Sequence, residues 1–202
     1  MVQERITTAR PRPSATVAET RRKVLDATGE LIDRVSYRSV TVDAVARASG
    51  ISKSTIYRHW PSREVLVLEA YTRKTNRSTV VPDTGDALRD LRQYVMALVA
   101  CLGPTDHAAT TVSGLIADSL ADEEFAGLYR STLLRERRHL FLAILVRGQQ
   151  RGQVRADLDL ETTVDAIYGA IHHRFLVSGQ PTDIAFVNGL IDLVARGLPA
   201  SG

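Results

Sequence analysis

The stretch TVDAVARASGISKSTIYRHW at 41–60 constrains this chain more than any other. Thr41 is a good N-cap, and Asp43 puts a carboxylate beside the free N–H groups of a first helical turn. Val42, Val45 and Ala46 then share an inward face. Gly50 can take a positive φ at no steric cost, so it ends this helix and redirects the chain. Ile51 plugs the turn, and Ser52 caps a second, short helix. On that helix Ile56 and Trp60 lie four apart and pack down. Lys53, Ser54, Thr55, Tyr57, Arg58 and His59 make up the rest. So many hydrogen-bonding groups are costly on a short structural helix, but they suit one that enters a major groove. Pro61 and Ser62 break it, and Arg63 and Glu64 open the next helix.

The charge distribution agrees with that reading. The net charge of the 202 residues is only +3. Residues 1–82 hold 15 Arg or Lys against 8 Asp or Glu, a net of +7, and residues 83–202 hold 11 against 15, a net of −4. A basic front end on an acidic body implies that only the front end meets a polyanion. No apolar run approaches the roughly 20 residues of a membrane-spanning helix, so no membrane partner is expected. Arg5, Arg10 and Arg12 have no apolar run behind them, which argues against a secretory signal. The one cysteine, Cys101, lies in an apolar run and reads as a small core residue of a cytoplasmic protein.

Upstream of the stretch, residues 1–19 read as a flexible arm and residues 20–35 as a helix with Val24, Leu25, Thr28, Leu31, Ile32 and Val35 on one face. Arg21, Arg22 and Lys23 crowd its first turn, where a phosphate backbone would offset their charge. Downstream, VVPDTGD at 80–86 reads as a short, hinge-like junction. Helical spacing then recurs over 86–102, 107–120, 122 to about 148, 158–177 and about 183–195. No alternating strand pattern occurs. The expected fold is all-α: a three-helix N-terminal helix-turn-helix domain at 20–80, and a larger helical domain at 83–198, with about nine helices in total.

Residues 21–71, above all TVDAVARASGISKSTIYRHWPSREVLVLEAY, resemble the DNA-binding domain of the TetR family of transcriptional regulators. The marks are the capped helix, the glycine turn, YRHW and PSRE, with Trp60 where phenylalanine is common. The resemblance implies roles for individual residues. Thr41 resembles a phosphate contact, Lys53, Ser54 and Thr55 the groove-facing start of the recognition helix, and Tyr57 and His59 a phosphate-binding pair. Arg63 resembles a basic clamp, and Arg58 either reaches a base or lies along solvent.

The resemblance also implies a double-stranded operator, a second copy of the chain and a small-molecule effector as partners. Two-fold pairing would set two recognition helices in successive major grooves of a palindrome. An effector would release DNA by favouring another spacing. A transcriptional activator of the same family, or an architectural DNA-binding protein without an effector, are the alternative functions. For the dimer face, the broad apolar sides of the last two helices nominate Val164, Ile167, Ile171 and Phe175, then Val187, Leu190, Ile191 and Val194, although an intramolecular core explains the same periodicity. Gly169 and Ala170 would permit close approach.

For the effector pocket, the aromatic and polar residues of 86–178 are the candidates: Tyr94, Met96, His107, Tyr129, His139, Phe141, Tyr168 and His172. The charged run RERRH at 135–139 reads as a solvated face or as a contact to an anionic effector. No HExxH, CxxC, phosphate-binding glycine loop or GxSxG occurs, and the adjacent His172 and His173 point in different directions on a helix. No catalytic residue, metal site or cofactor is expected.

Overall fold

A computed structural model describes residues 15–78, 81–100, 102 and 107–196. Its helices are α1 (Ala15–Arg34), α2 (Val42–Ser49), α3 (Lys53–His59), α4 (Arg63–Ser78), α5 (Ala87–Val99), α6 (His107–Ala121), α7 (Glu123–Tyr129), α8 (Arg135–Gln150), α9 (Leu160–His172) and α10 (Ile184–Arg196). A 3-10 turn, Tyr37–Ser39, precedes α2, and π-helical turns run from Arg130–Leu134 and His173–Ser178. The first π turn joins α7 to α8 without a break, so the long helix expected from 122 is present. Counted that way, the described residues hold nine helices, and the fold is all-α.

Two apolar clusters organise the chain. The first gathers Val24 and Ile32 of α1, Val45 of α2, Ile56 of α3 and Leu66 and Leu68 of α4. It is completed from downstream by Leu115 of α6, Phe125 of α7 and Leu133 of the π turn. The second is built by α5, α8, α9 and α10 around Leu91, Tyr94, Phe141, Ile144, Val164, Ile167, Val187 and Ile191. The helix-turn-helix is therefore held by α6 and α7 as well as by its own helices.

Several local expectations need correction. α1 begins at Ala15, so Arg21–Lys23 do not crowd its first turn. Arg22 pairs with Glu19 and Asp26, and Arg21 pairs with Glu69 of α4, so no phosphate is needed to offset them. Of the expected arm at 1–19, residues 1–14 lie outside the described residues, as do Cys101 and the Gly103-Pro104 and Gly197 helix stops.

The junction is strapped rather than hinge-like where it is described. Arg147 of α8 donates to the Pro82 carbonyl at 2.6 Å, Arg151 pairs with Asp83 at 2.8 Å, and Gln153 donates to the Gly85 carbonyl at 2.7 Å. Thr84 is fixed to the buried Asp90 through its N–H at 3.0 Å and its hydroxyl at 2.7 Å. Charged and amide side chains thus supply the partners that a free loop would take from water.

Candidate DNA-binding surface and effector cavity

The helix-turn-helix is fixed by three local devices. Thr41 Oγ1 accepts from the Ala44 N–H at 3.1 Å, which starts α2. Gly50 ends it at φ 70°, with its N–H on the Ala46 carbonyl at 3.0 Å. Ser52 Oγ then accepts from the Thr55 N–H at 3.3 Å and starts α3. Ile56 and Trp60 anchor the inner side of α3 at 1% exposure each. The outer side presents Lys53, Ser54, Tyr57 and Arg58, all exposed, with Thr55 and His59 half-buried. Lys53 rests on Asp43 of α2 at 2.6 Å, and that contact holds the Asp43 carboxyl below its ordinary range. The surface thus combines amine, hydroxyl, phenol and guanidinium donors on one convex ridge, which is the equipment for contacts to phosphates and base edges.

Trp60 carries a polar network. Its indole N–H donates to Glu69 Oε2 at 2.8 Å, and Glu69 Oε1 pairs with Arg21 at 2.6 Å. The Arg21 guanidinium lies 4.7 Å from the centre of the indole ring. His59 packs edge-on to Trp60 at 5.7 Å.

Arg63 is not the free basic clamp expected from the sequence. Its Nε donates to Glu64 at 3.0 Å, its Nη1 to the Tyr37 carbonyl at 3.0 Å, and its Nη2 to Asp118 at 3.5 Å. The guanidinium stacks 4.3 Å from the Tyr37 ring centre. Tyr37 in turn donates its hydroxyl to Asp118 and its backbone N–H to Thr110 Oγ1, 3.0 Å away. Burial, and then the bond to Asp118, push the Tyr37 phenol well above its ordinary range, so it remains a donor. Arg63, Tyr37 and Asp118 tie the start of α4 and the turn before α2 to α6. No local sequence signal marks this contact, because 55 residues separate Arg63 from Asp118.

A cavity of about 70 Å³ lies on the seam between the two apolar clusters. Tyr71 of α4, Val112 of α6, Tyr129 of α7 and Leu133 border it from the first cluster, and Leu98, Tyr168 and Ile171 from the second. Arg137 and His172 supply its cationic and imidazole groups. Of the eight expected pocket residues, Tyr129, Tyr168 and His172 line it. Tyr94 and Phe141 stand behind as an aromatic wall, with ring centres 5.4 Å apart and Phe141 5.8 Å from Tyr168. His107 and His139 are corrections: both side chains face solvent, because they fall on the outer sides of α6 and α8. Met96 packs against the second cluster and does not line the cavity. Tyr71 and Arg137 were missed as individual lining residues. Arg137 lay within the flagged RERRH run, but only the register of α8 separates it from its solvated neighbours.

Burial raises the Tyr129 and Tyr168 phenols and lowers the His172 imidazole. The cavity therefore offers neutral donors beside a single guanidinium. A larger open recess of about 690 Å³ adjoins it at Leu102.

The expected dimer face also changes. Val164, Ile167, Ile171, Val187 and Ile191 are at most 3% exposed within one chain, because they form the second cluster with α5 and α8. They cannot touch a partner. Phe175, Leu190 and Val194 are half-buried. The outward sides carry Ala166 and Gly169 on α9 and Ala185, Gly189 and Leu193 on α10, with Val177 74% and Ile184 63% exposed. A β-carbon added at Gly169 or Gly189 would meet nothing within 4 Å. Among the described residues no helix is long and apolar enough to cross a membrane, and no cluster of three His, Cys, Asp or Glu could hold a metal.

Comparison with known proteins agrees with this architecture. Residues 24–70 match the family described as bacterial regulatory proteins, tetR family, and residues 81–194 match the tetracyclin repressor-like C-terminal domain. The chain is 30% identical over 182 residues to the uncharacterized HTH-type transcriptional regulator YdeS of Bacillus subtilis, covering 90% of this chain and 91% of that one. It is 30% identical over 171 residues to the DNA-binding transcriptional repressor TetR of Mycobacteroides abscessus, covering 81% and 85%. The crystal structure of the TetR family transcription regulator SCO0332 superposes with a TM-score of 0.82 at 34% identity, covering 90% of this chain and all of that one. A matching helix-turn-helix, a matching C-terminal domain and relatives aligned over nearly their full length converge: the chain belongs to the TetR family of DNA-binding transcriptional regulators.

Proposed function

We propose that the protein is a homodimeric repressor that binds a palindromic operator through α3 and leaves it when a small molecule fills the seam cavity. In this reading residues 20–80 read DNA, and residues 83–198 bind effector and pair the two copies. Thr41, Tyr57 and His59 hold the backbone, Lys53, Ser54 and Thr55 face base edges, and Arg58 lies beside them. The observation that carries the reading is that one wall of the cavity is Tyr71, a residue of the helix that begins at Arg63. A ligand that widened the cavity would press on α4, and α4 is bonded to the turn that starts the helix-turn-helix.

The outward faces of α9 and α10 make the pairing surface. Their small residues let backbones approach, while Leu193 and Ile184 supply apolar area. Two-fold pairing would put the recognition helices roughly 34–36 Å apart in the simplest geometry. The repressor role is supported by the likeness to the transcriptional repressor TetR of Mycobacteroides abscessus.

Selection of bound duplexes from a random pool, followed by anisotropy titration and sedimentation, tests the proposal. A palindromic consensus bound by a dimer, and released by a compound that binds the protein, is the expected result. Equal affinity for all sequences, or a monomer at operator-saturating concentrations, overturns it.

A further inference from the structure

We infer that the seam cavity takes an apolar molecule bearing one carboxylate, held by Arg137. The inference rests on the effector reading above and names the chemistry of its ligand.

Arg137 lines a cavity whose other walls are mainly Leu, Ile, Val and Tyr side chains. The other half-buried arginines of α8 and the arginine at its end have partners. Arg138 pairs with Glu161 and Asp165, Arg147 donates to Pro82, and Arg151 pairs with Asp83. Among the described residues the Arg137 guanidinium has no carboxylate within 4.0 Å, and its polar neighbour is the Tyr94 hydroxyl. Its carbonyl accepts the Tyr94 hydroxyl at 3.0 Å. Glu136, its neighbour in sequence, makes no ion pair with it.

Its surroundings are neutral. The hydroxyls of Tyr94, Tyr129 and Tyr168 are kept protonated by burial, and His172 is kept uncharged by the same cause. The Tyr168 hydroxyl is itself buried without a hydrogen bond of good geometry, and its polar neighbour is the Tyr94 hydroxyl. A cation without a carboxylate partner and a hydroxyl without a well-formed bond therefore meet at one cavity. A guanidinium in apolar surroundings gains most from an anion that also accepts a neighbouring donor.

The charge count favours a monoanion, of which a carboxylate is the compact planar form that a guanidinium pairs with. One guanidinium neutralises one negative charge, and the cavity holds no second cation. A dianion such as a phosphate monoester would keep an uncompensated charge in an apolar site, which is strongly unfavourable. A monocarboxylate is compensated, and its second oxygen can accept from Tyr168. The apolar remainder of the ligand fits between Leu98, Leu133 and Ile171. At about 70 Å³ the cavity holds only a few waters, so such a ligand must widen it.

The test uses the full-length chain and matched probes: straight-chain and phenyl-substituted alkanoic acids, each with its primary amide. Calorimetry and thermal shift are run on the native protein, on Arg137→Met and Arg137→Gln, and on Tyr168→Phe. Circular dichroism and the melting midpoint check that each variant folds. At least one acid is expected to bind the native protein about tenfold or more tighter than its amide. That preference should vanish in both Arg137 variants and weaken in Tyr168→Phe. Amides that bind as tightly as acids, an acid preference that survives in a folded Arg137 variant, or no acid binding at millimolar concentration would overturn the inference. Operator release is measured separately. A neutral compound that releases operator sinks the carboxylate class and leaves the effector reading standing. An acid that binds through Arg137 without changing operator affinity does the reverse.

Discussion

The Tyr37 ring lies so close to Gly114 that a β-carbon at 114 would sit 2.1 Å from its Cδ1. Helix α6 can meet the turn before α2 only because position 114 has no side chain. The ring is covered on another side by Arg63 at 4.3 Å, and its hydroxyl ends on Asp118, four residues after Gly114 on the same helix. Shape and polarity are thus fixed together at one contact between the DNA-reading helices and α6.

Gly114→Ala should force Tyr37 away and cost about 1–3 kcal/mol, the usual range for overpacking. The clash belongs to a pair, so the same change in a Tyr37→Ala background should be nearly neutral. A double-mutant cycle by urea denaturation measures this coupling. Additive losses would mean that the ring does not bear on position 114.

Gly50→Ala isolates a different effect. A β-carbon there meets nothing within 4 Å, but φ is 70°. The cost is conformational alone, about 1 kcal/mol. The melting midpoint should fall by a few degrees, and Gly50→Asn, which tolerates this region better, should lose less.

How far the sequence reaches is visible in these two glycines. Gly50 was legible, because a glycine between two capped apolar patterns has one local explanation. Gly114 was not, because its reason is an aromatic ring 77 positions away in the chain. The same divide runs through the functional residues. Thr41, Ser52, Ile56 and Trp60 obey helix periodicity and capping, and their local roles follow from it. Arg63 obeys the same local rules, yet its donors are taken by Tyr37, Glu64 and Asp118. Periodicity also found the apolar faces of α9 and α10 without saying what they face. Val164 and Ile191 pack inside the chain, and the small-residue sides point outward.

His172 should make stability sensitive to acid. Burial lowers its pKa in the folded chain below the ordinary 6.5. As pH falls through that value, the unfolded chain takes up a proton that the folded chain refuses, so stability decreases. This contribution is fully present above 6.5 and is lost progressively below it. His172→Gln should flatten the dependence of urea midpoint on pH in that window. An unchanged slope would mean that His172 titrates alike in both states.

Trp60→Phe tests the network that replaces the common phenylalanine. The indole is 1% exposed, and its N–H is spent on Glu69 at 2.8 Å. Phenylalanine would leave a small void and free one Glu69 oxygen, although Arg21 would still hold the other. About 1–2 kcal/mol should be lost. Glu69→Gln should recover little of it, since the amide cannot pair with Arg21.

Tyr57 gives the most direct view of the DNA-reading surface, because its role in binding can be separated from folding. It is 52% exposed, and among the described residues no hydrogen bond of its hydroxyl holds α3. Tyr57→Phe keeps the ring and deletes one hydroxyl. The melting midpoint should stay within about a degree, since exposed substitutions of this kind change stability little. Operator affinity should fall about fivefold, the worth of one hydrogen bond to a phosphate. The loss should be uniform across operator variants, because a phosphate contact carries no base information. Lys53→Ala should behave otherwise. It removes an exposed amine and releases Asp43, now without its partner, beside the DNA. Affinity should drop further, and unevenly across base substitutions, if Lys53 faces base edges. Anisotropy titrations against a set of single-base operator variants distinguish the two patterns. A uniform loss for Lys53→Ala would assign it to the backbone instead.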